Sequence, residues 1–320
     1  MECKRYVKHA RHAFPRNAEV SNRALEVIHS DVWTTKAASL GGCHYYVSFI
    51  DDHTRKVWVY FMKHKSEVFS HFKAFKAMVE KEKGMQIKVL RSDGGGEYFS
   101  EEFSDYLKEQ GIQRKYSCRS TPQQNGVAER KNRHIVEVGR AILNEKNMPD
   151  YFWAEAVATA VYIMNRTPTA AVHGMTPEEM YTDQKPDISY LKVFGCIAYV
   201  HVPDEKRTKL DPKAEKCIFI GYALHQKGYR CYNPSTRKMQ VSRDVVFDEM
   251  SSWYAPTVMV GDADAGNGNA ATNAEQQSQA LSGPRESSTS GSNAWTGRLR
   301  SSESSHGSPD SVVQVSHKGK

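Results

Sequence analysis

The sequence predicts an α/β fold: a mixed sheet flanked by helices, then a small all-β domain and a disordered tail. Three observations carry that expectation. Three β-rich segments near the start are followed by helices alternating with single strands. From Leu191 onwards only short strands recur, punctuated by Pro203, Pro212 and Asn233–Thr236. Residues 255–320 are dominated by Ser, Gly, Asn, Ala and Gln without hydrophobic periodicity.

The elements follow in order. Residues 25–33, 44–51 and 56–63 read as an antiparallel meander, with the polar Asp51–Arg55 turn between the last two. Val68, Phe72, Phe75 and Val79 recur at helical spacing, which predicts a helix from Ser66 to Lys83 with Ser66 as its N-cap. A strand over 86–92, a short helix from Glu101 to Gln110 closed by Gly111, and a strand over 112–117 follow. Val127–Glu145 reads as one long helix and Tyr151–Arg166 as another, with Phe152 and Trp153 on an apolar face expected in the core. Segments 194–200, 216–222, 229–233 and 238–247 read as short strands. The expected division is 1–19 (basic lead-in), 20–187 (α/β core), 188–250 (small β domain) and 251–320 (tail).

Composition excludes several classes. With 320 residues and 39% hydrophobic side chains, a sizeable core is available. No apolar run reaches the ~18 residues a membrane helix needs, and the basic start, 1–16, has no secretory pattern. Six separated cysteines without a CxxC fit reduced thiols inside a cell. The formal charge is +7; residues 255–320 hold five Lys or Arg against six Asp or Glu, leaving +8 on the remainder. A basic body suits a polyanionic partner.

Three acids stand at element ends: Asp31 late in the first strand, Asp93 directly after strand 86–92, and Glu129 in the first turns of the long helix. Singly, each reads as a turn, cap or helix-dipole residue. Together they can form a cluster, because a strand-end Asp and a helix-start Glu face one another when the helix crosses the sheet. Crowded carboxylates repel unless a cation answers them. Mg²⁺ suits such a set and leaves positions for water and phosphate oxygens. Gly94, Gly95 and Gly96 would let a backbone or a DNA strand approach closely, or form a plain flexible turn. Gln123 and Asn125 offer amide groups, and Arg130, Lys131 and Arg133 place cations beside Glu129. For Arg133 a helical pair with Glu129 and a phosphate contact both stay open. His29 reads as a packed histidine or a neighbour of the acids.

Asp93 and Glu129 enclose 35 residues. The ordered series HSDVW, IDDHTRKVWVYFMKHKSEVF, RSDGGGEY, TPQQNGVAERKNR, FWAEAV and MNRTPT resembles the integrase core of copia-type LTR retrotransposons. The segment from FGCIAYV to SRDVVFDE resembles the SH3-like domain that follows it in the same polyproteins. The resemblance implies an RNase H-like fold and a D,D-35-E site in which Asp31, Asp93 and Glu129 bind Mg²⁺ or Mn²⁺. It implies processing of element DNA ends and joining of the 3′-hydroxyl to target duplex, by a homo-oligomer acting in the nucleus or cytoplasm, with no membrane partner. Departures are Gly94 where the family has Asn, Thr34 and Thr35 where Gly-Pro is usual, and a zinc module reduced at most to Cys3. A Cys3/His9/His12 site would lack a fourth ligand. The rest of the polyprotein is absent, so the chain is expected to be a fragment, decayed copy or trimmed product. A non-catalytic DNA-binding or assembly remnant and an RNase H-type nuclease stand as alternatives.

Overall fold

A computed structural model describes residues 20–116, 125–224 and 226–254. The lead-in and nearly all of the expected tail, together with Cys3, His9, His12 and Gln123, lie outside the described residues.

The first sheet has five strands in the order β3-β2-β1-β4-β5. β1 (Val27–Thr34), β2 (Tyr45–Asp51) and β3 (Val57–Met62) form the antiparallel meander. β4 (Val89–Ser92) pairs parallel to β1, and β5 (Gln113–Tyr116) parallel to β4. Helices cover both faces, so β2 is apolar on both sides rather than on one. Its Val47 and Phe49 pack with Phe72, Phe75 and Phe103 from α1 (Val68–Lys83) and α2 (Glu101–Glu109). Its Tyr46 and Ile50 pack with Ile135, Trp153 and Val157 from α3 (Gly126–Glu145) and α4 (Trp153–Asn165).

Element ends follow local chemistry. Ser100 caps α2 by accepting from Phe103 N, and Gly111 after it takes the left-handed conformation expected of a helix stop, with φ 66°. Ser66 is not the N-cap of α1. A 3-10 turn over Lys65–Glu67 precedes the helix, and Glu67 Oε1 accepts from Lys63 N and His64 N instead. At the start of α4 a 3-10 turn occupies Asp150–Phe152. A short helix, α5 (Pro177–Thr182), begins at Thr176, whose hydroxyl accepts from Glu179 N. β3 is an edge strand, and Asn165 at the end of α4 closes that edge: its amide accepts from Val57 N at 3.0 Å and donates to Val57 O at 2.8 Å.

The second sheet is antiparallel throughout, in the order β10-β6-β7-β8-β9. Its strands are β6 (Cys196–His201), β7 (Ala214–Tyr222), β8 (Tyr229–Asn233), β9 (Lys238–Ser242) and β10 (Val245–Ser252). Segment 238–247, expected as one strand, is therefore two. Arg243 and Asp244 divide it, with Asp244 N donating to Ser242 Oγ. The division dictates shape. β9 and β10 are opposite edges, four strand spacings or about 19 Å apart if the sheet were flat. Three virtual Cα bonds from Ser242 to Val245 reach at most about 11 Å. The sheet must curl, as a small barrel requires. Cys196, Ala198, Cys217, Phe219 and Cys231 line the concave core.

The alternate residues of β7, Ile218 and Ile220, join Phe152, Trp153 and Val157 in one cluster. Across this joint Gly221, at φ 127°, leaves room for Thr159: a Cβ would lie 2.7 Å from its hydroxyl. β10 continues past the boundary expected at 250. Ser252 Oγ donates to Lys146 O at 2.6 Å, and Trp253 and Tyr254 pack on the same cluster. Core and barrel fall within one compact unit.

Candidate active site

β1 and β4 run in parallel with His29 opposite Arg91. Two residues further along that register, Asp31 and Asp93 emerge side by side. α3 packs across β1 and starts near it: Asn125 Nδ2 donates to Ser30 O at 3.3 Å. Glu129 follows in the first turn of α3 and is exposed. The three acids thus share one corner, Asp31 from within β1, Asp93 from just past β4 and Glu129 from the first turn of α3.

Asp31 is the most constrained of the three. Its Oδ1 accepts from Val32 N and its Oδ2 from Asn132 Nδ2, both at 3.0 Å. Burial pushes its carboxyl up from 3.8 to about 6, and the charges of Asp93 and Glu129 add to the rise against the Asn132 hydrogen bond. Asp93 is also raised, first by burial and then by Glu97, with Lys65 and a hydrogen bond from Gly95 N opposing. The corner holds more negative charge than its surroundings neutralise. Among the described residues no three His, Cys, Asp or Glu side chains converge closely enough to hold an ion as they stand. Both oxygens of Asp31 are engaged in hydrogen bonds, and Glu129 is exposed to solvent. The donor set is nevertheless all carboxylate oxygen, the chemistry that suits Mg²⁺ or Mn²⁺ rather than a softer metal.

Four residues unforeseen from the sequence complete the corner. Asn132 follows Glu129 by one helical turn and is buried within the apolar stripe Ala128, Ile135, Gly139 and Leu143. A polar residue in such a stripe was the available signal. Glu97 folds back over Gly95, where a Cβ would sit 2.8 Å from its Oε2, so what approaches this glycine is the chain's own carboxylate. Lys65 lies 3.7 Å from Glu97 Oε1. Tyr98, fully buried, anchors the Asp93 loop to β1 through a 2.7 Å bond between its hydroxyl and Ser30 Oγ.

The expected cations divide. Arg130 and Arg133 are exposed, Arg130 lying back against Gly126, and among the described residues Glu129 and Arg133 form no ion pair. Lys131 is half-buried, its ammonium held below the usual lysine range by burial and by Arg55. His29 is a packed histidine: it is buried and pairs with Asp52 at 2.8 Å, away from the acids.

Residues 21–122 match the integrase core domain family and residues 196–259 the retroviral polymerase SH3-like domain family. The retrovirus-related Pol polyprotein from transposon TNT 1-94 of Nicotiana tabacum is 47% identical over 76% of this chain, and that from transposon RE2 of Arabidopsis thaliana 39% over 76%. The chain spans only 18% and 17% of their lengths. Among solved structures, a chain of the simian T-cell lymphotropic virus intasome in complex with PP2A regulatory subunit B56 gamma aligns over 73% of this chain and 82% of its own, at 15% identity and TM-score 0.45. The HTLV-2 integrase catalytic core domain in complex with magnesium aligns over 49% and 96%, at 19% identity and TM-score 0.38. This chain carries an integrase core domain followed by a retroviral polymerase SH3-like domain, and it is homologous to one segment of the Pol polyproteins of plant transposons.

Proposed function

We propose that the chain is the catalytic part of a retrotransposon integrase, which trims element DNA ends and joins them to target duplex. One observation supports this above all. Asp31, Asp93 and Glu129 lie at one corner where burial first, and the charges of Asp93 and Glu129 after it, hold Asp31 partly against ionisation, a cost that a divalent cation offsets.

In this reading Asp31, Asp93 and Glu129 hold Mg²⁺ or Mn²⁺, which when bound activates an attacking oxygen and stabilises a leaving one in phosphodiester displacement. The residues of the chain do the rest. Asn132 fixes the orientation of Asp31, and Asn125 fixes the start of α3 against β1. Arg130 and Arg133 meet phosphates of the duplex, and Gln123 and Lys131 are assigned to DNA contact with them. Trimming transfers water to the phosphorus and releases the end nucleotides. Joining transfers the new 3′-oxygen to a target phosphorus, breaking the target P–O3′ bond, with no nucleoside triphosphate consumed. Two DNA ends call for two sites, so the working form is a homo-oligomer, acting in the nucleus where target DNA resides.

The test is incubation of the chain with a short element-end duplex and Mn²⁺, compared with Asp93→Asn. Nicking and joining by the wild type alone are expected. Salt-dependent binding without nicking in either protein would assign a non-catalytic DNA-binding role. Preferential cutting of an RNA–DNA hybrid would assign an RNase H-type nuclease.

A further inference from the structure

Beside the acidic corner stands a surface that the roles above leave unused. β5 is the edge of the first sheet, and its last residue, Tyr116, pairs with Ser92, the residue before Asp93. Tyr116 is 54% exposed. Phe99, from the loop that follows Asp93, is 41% exposed and meets Tyr116 edge-on at 5.4 Å. Arg114 lies over the Phe99 ring at 4.6 Å. Its guanidinium is fixed from behind, donating to Tyr98 O at 2.7 Å and to Ser104 Oγ at 3.1 Å.

The neighbouring aromatics have found burial: Tyr98 and Phe103 are fully enclosed. Phe99 and Tyr116 are large rings left in solvent, immobilised by each other and by a guanidinium that is itself held. Such rings lose little conformational entropy on binding a flat partner. β5 supplies Arg114 and Lys115 and no acid, and once a divalent cation answers Asp93, as in the reading above, these two cations favour an anion beside the rings. A flat apolar group attached to an anionic backbone is a nucleobase in a polynucleotide. Only an unpaired base presents its face to a side platform.

Resting on the integrase reading above, we infer that Phe99, Tyr116 and Arg114 form a stacking platform for an unpaired base at a DNA end. The platform holds the frayed strand beside Asp93. It reads no sequence, because every base has a π-face.

The experiment uses the whole chain and two duplexes that differ only in their ends, one fully paired and one with two unpaired terminal bases carrying 2-aminopurine. The wild type is expected to prefer the frayed duplex by about tenfold, with quenching of 2-aminopurine fluorescence on binding. In Tyr116→Ala and in Phe99→Ala the preference collapses towards one and the quenching is lost, whereas Tyr116→Phe retains both. Unaltered preference and quenching in both alanine variants would overturn the proposal, as would a wild type that does not distinguish the ends. A dimer that dissociates in Tyr116→Ala, with fluorescence unchanged, would assign the rings to a second copy and also overturn it. A wild type that joins ends but shows no stacking refutes this inference alone, whereas one that binds no DNA refutes the integrase reading.

Discussion

Replacing Asp31 by Asn should make the metal-free protein more stable while abolishing its chemistry. The folded-state carboxyl titrates at about 6 against an ordinary 3.8. A raised acid has the sign opposite to a salt-bridged one: it subtracts stability progressively as pH climbs from the unfolded value through about 6. Above that the full loss is about 3 kcal/mol. The amide removes that loss. It also has one acceptor where the carboxylate has two, so one of the bonds from Val32 N and Asn132 Nδ2 is given up, at about 1 kcal/mol. The net gain at pH 7.5 is about 2 kcal/mol, a rise in Tm of roughly 5 °C for a folded unit of this size. At pH 4 the titration penalty falls to about 0.5 kcal/mol, and the lost bond outweighs it. Thermal melts in EDTA at both pH values read the difference directly. Added Mg²⁺ should stabilise the wild type more than the variant and close the gap. A variant that melts at or below the wild type at pH 7.5 in EDTA would refute the charge argument.

Asn132→Ala removes the donor that eases Asp31, so the Mn²⁺ concentration for half-maximal joining should rise about tenfold, measured by metal titration, with Tm lowered by roughly 2–4 °C for the lost bond. Asn165→Ala leaves both backbone groups of Val57 unpaired in a buried position and should cost about 3 kcal/mol in urea unfolding. Gly221→Ala combines φ 127° with a clash against Thr159 and should cost about 2–3 kcal/mol; adding Thr159→Ala should recover only the clash, as a partial return of Tm.

The acids were legible because their signal is positional: a residue late in a strand, a strand end and a first helical turn survive in the linear order, although β1 runs three residues past Asp31. Asn132 was legible in principle, as a polar residue at an apolar-stripe position, but its target Asp31 lies a hundred and one residues away and no local pattern names it. The Glu97 fold-back depends on the backbone path at Gly95, which three consecutive glycines leave open. Strand 238–247 misled for a related reason. Its apolar residues Met239, Val241, Val245 and Phe247 keep one phase on either side of Arg243 and Asp244, while the curl that sends its two halves to opposite edges arises from the twist and closure of the whole sheet. The short helix α5 carried its signature, Thr176-Pro177-Glu178-Glu179, in plain capping chemistry. His29 went to Asp52 because a buried imidazole needs a partner and the adjacent turn supplied one.

The shared cluster beneath Ile218 and Ile220 bears on how this polypeptide can be divided. The composition changes near 188, yet a cut there would strip the cover from Phe152, Trp153 and Val157 on one piece and from Phe194, Ile218 and Tyr232 on the other. Each piece would carry a raw apolar wound and tend to aggregate. The two matched families are therefore, in this chain, halves of one folding unit: mutations along α4 are constrained from both sides, and recombination between elements would preserve function only when it exchanged core and barrel together.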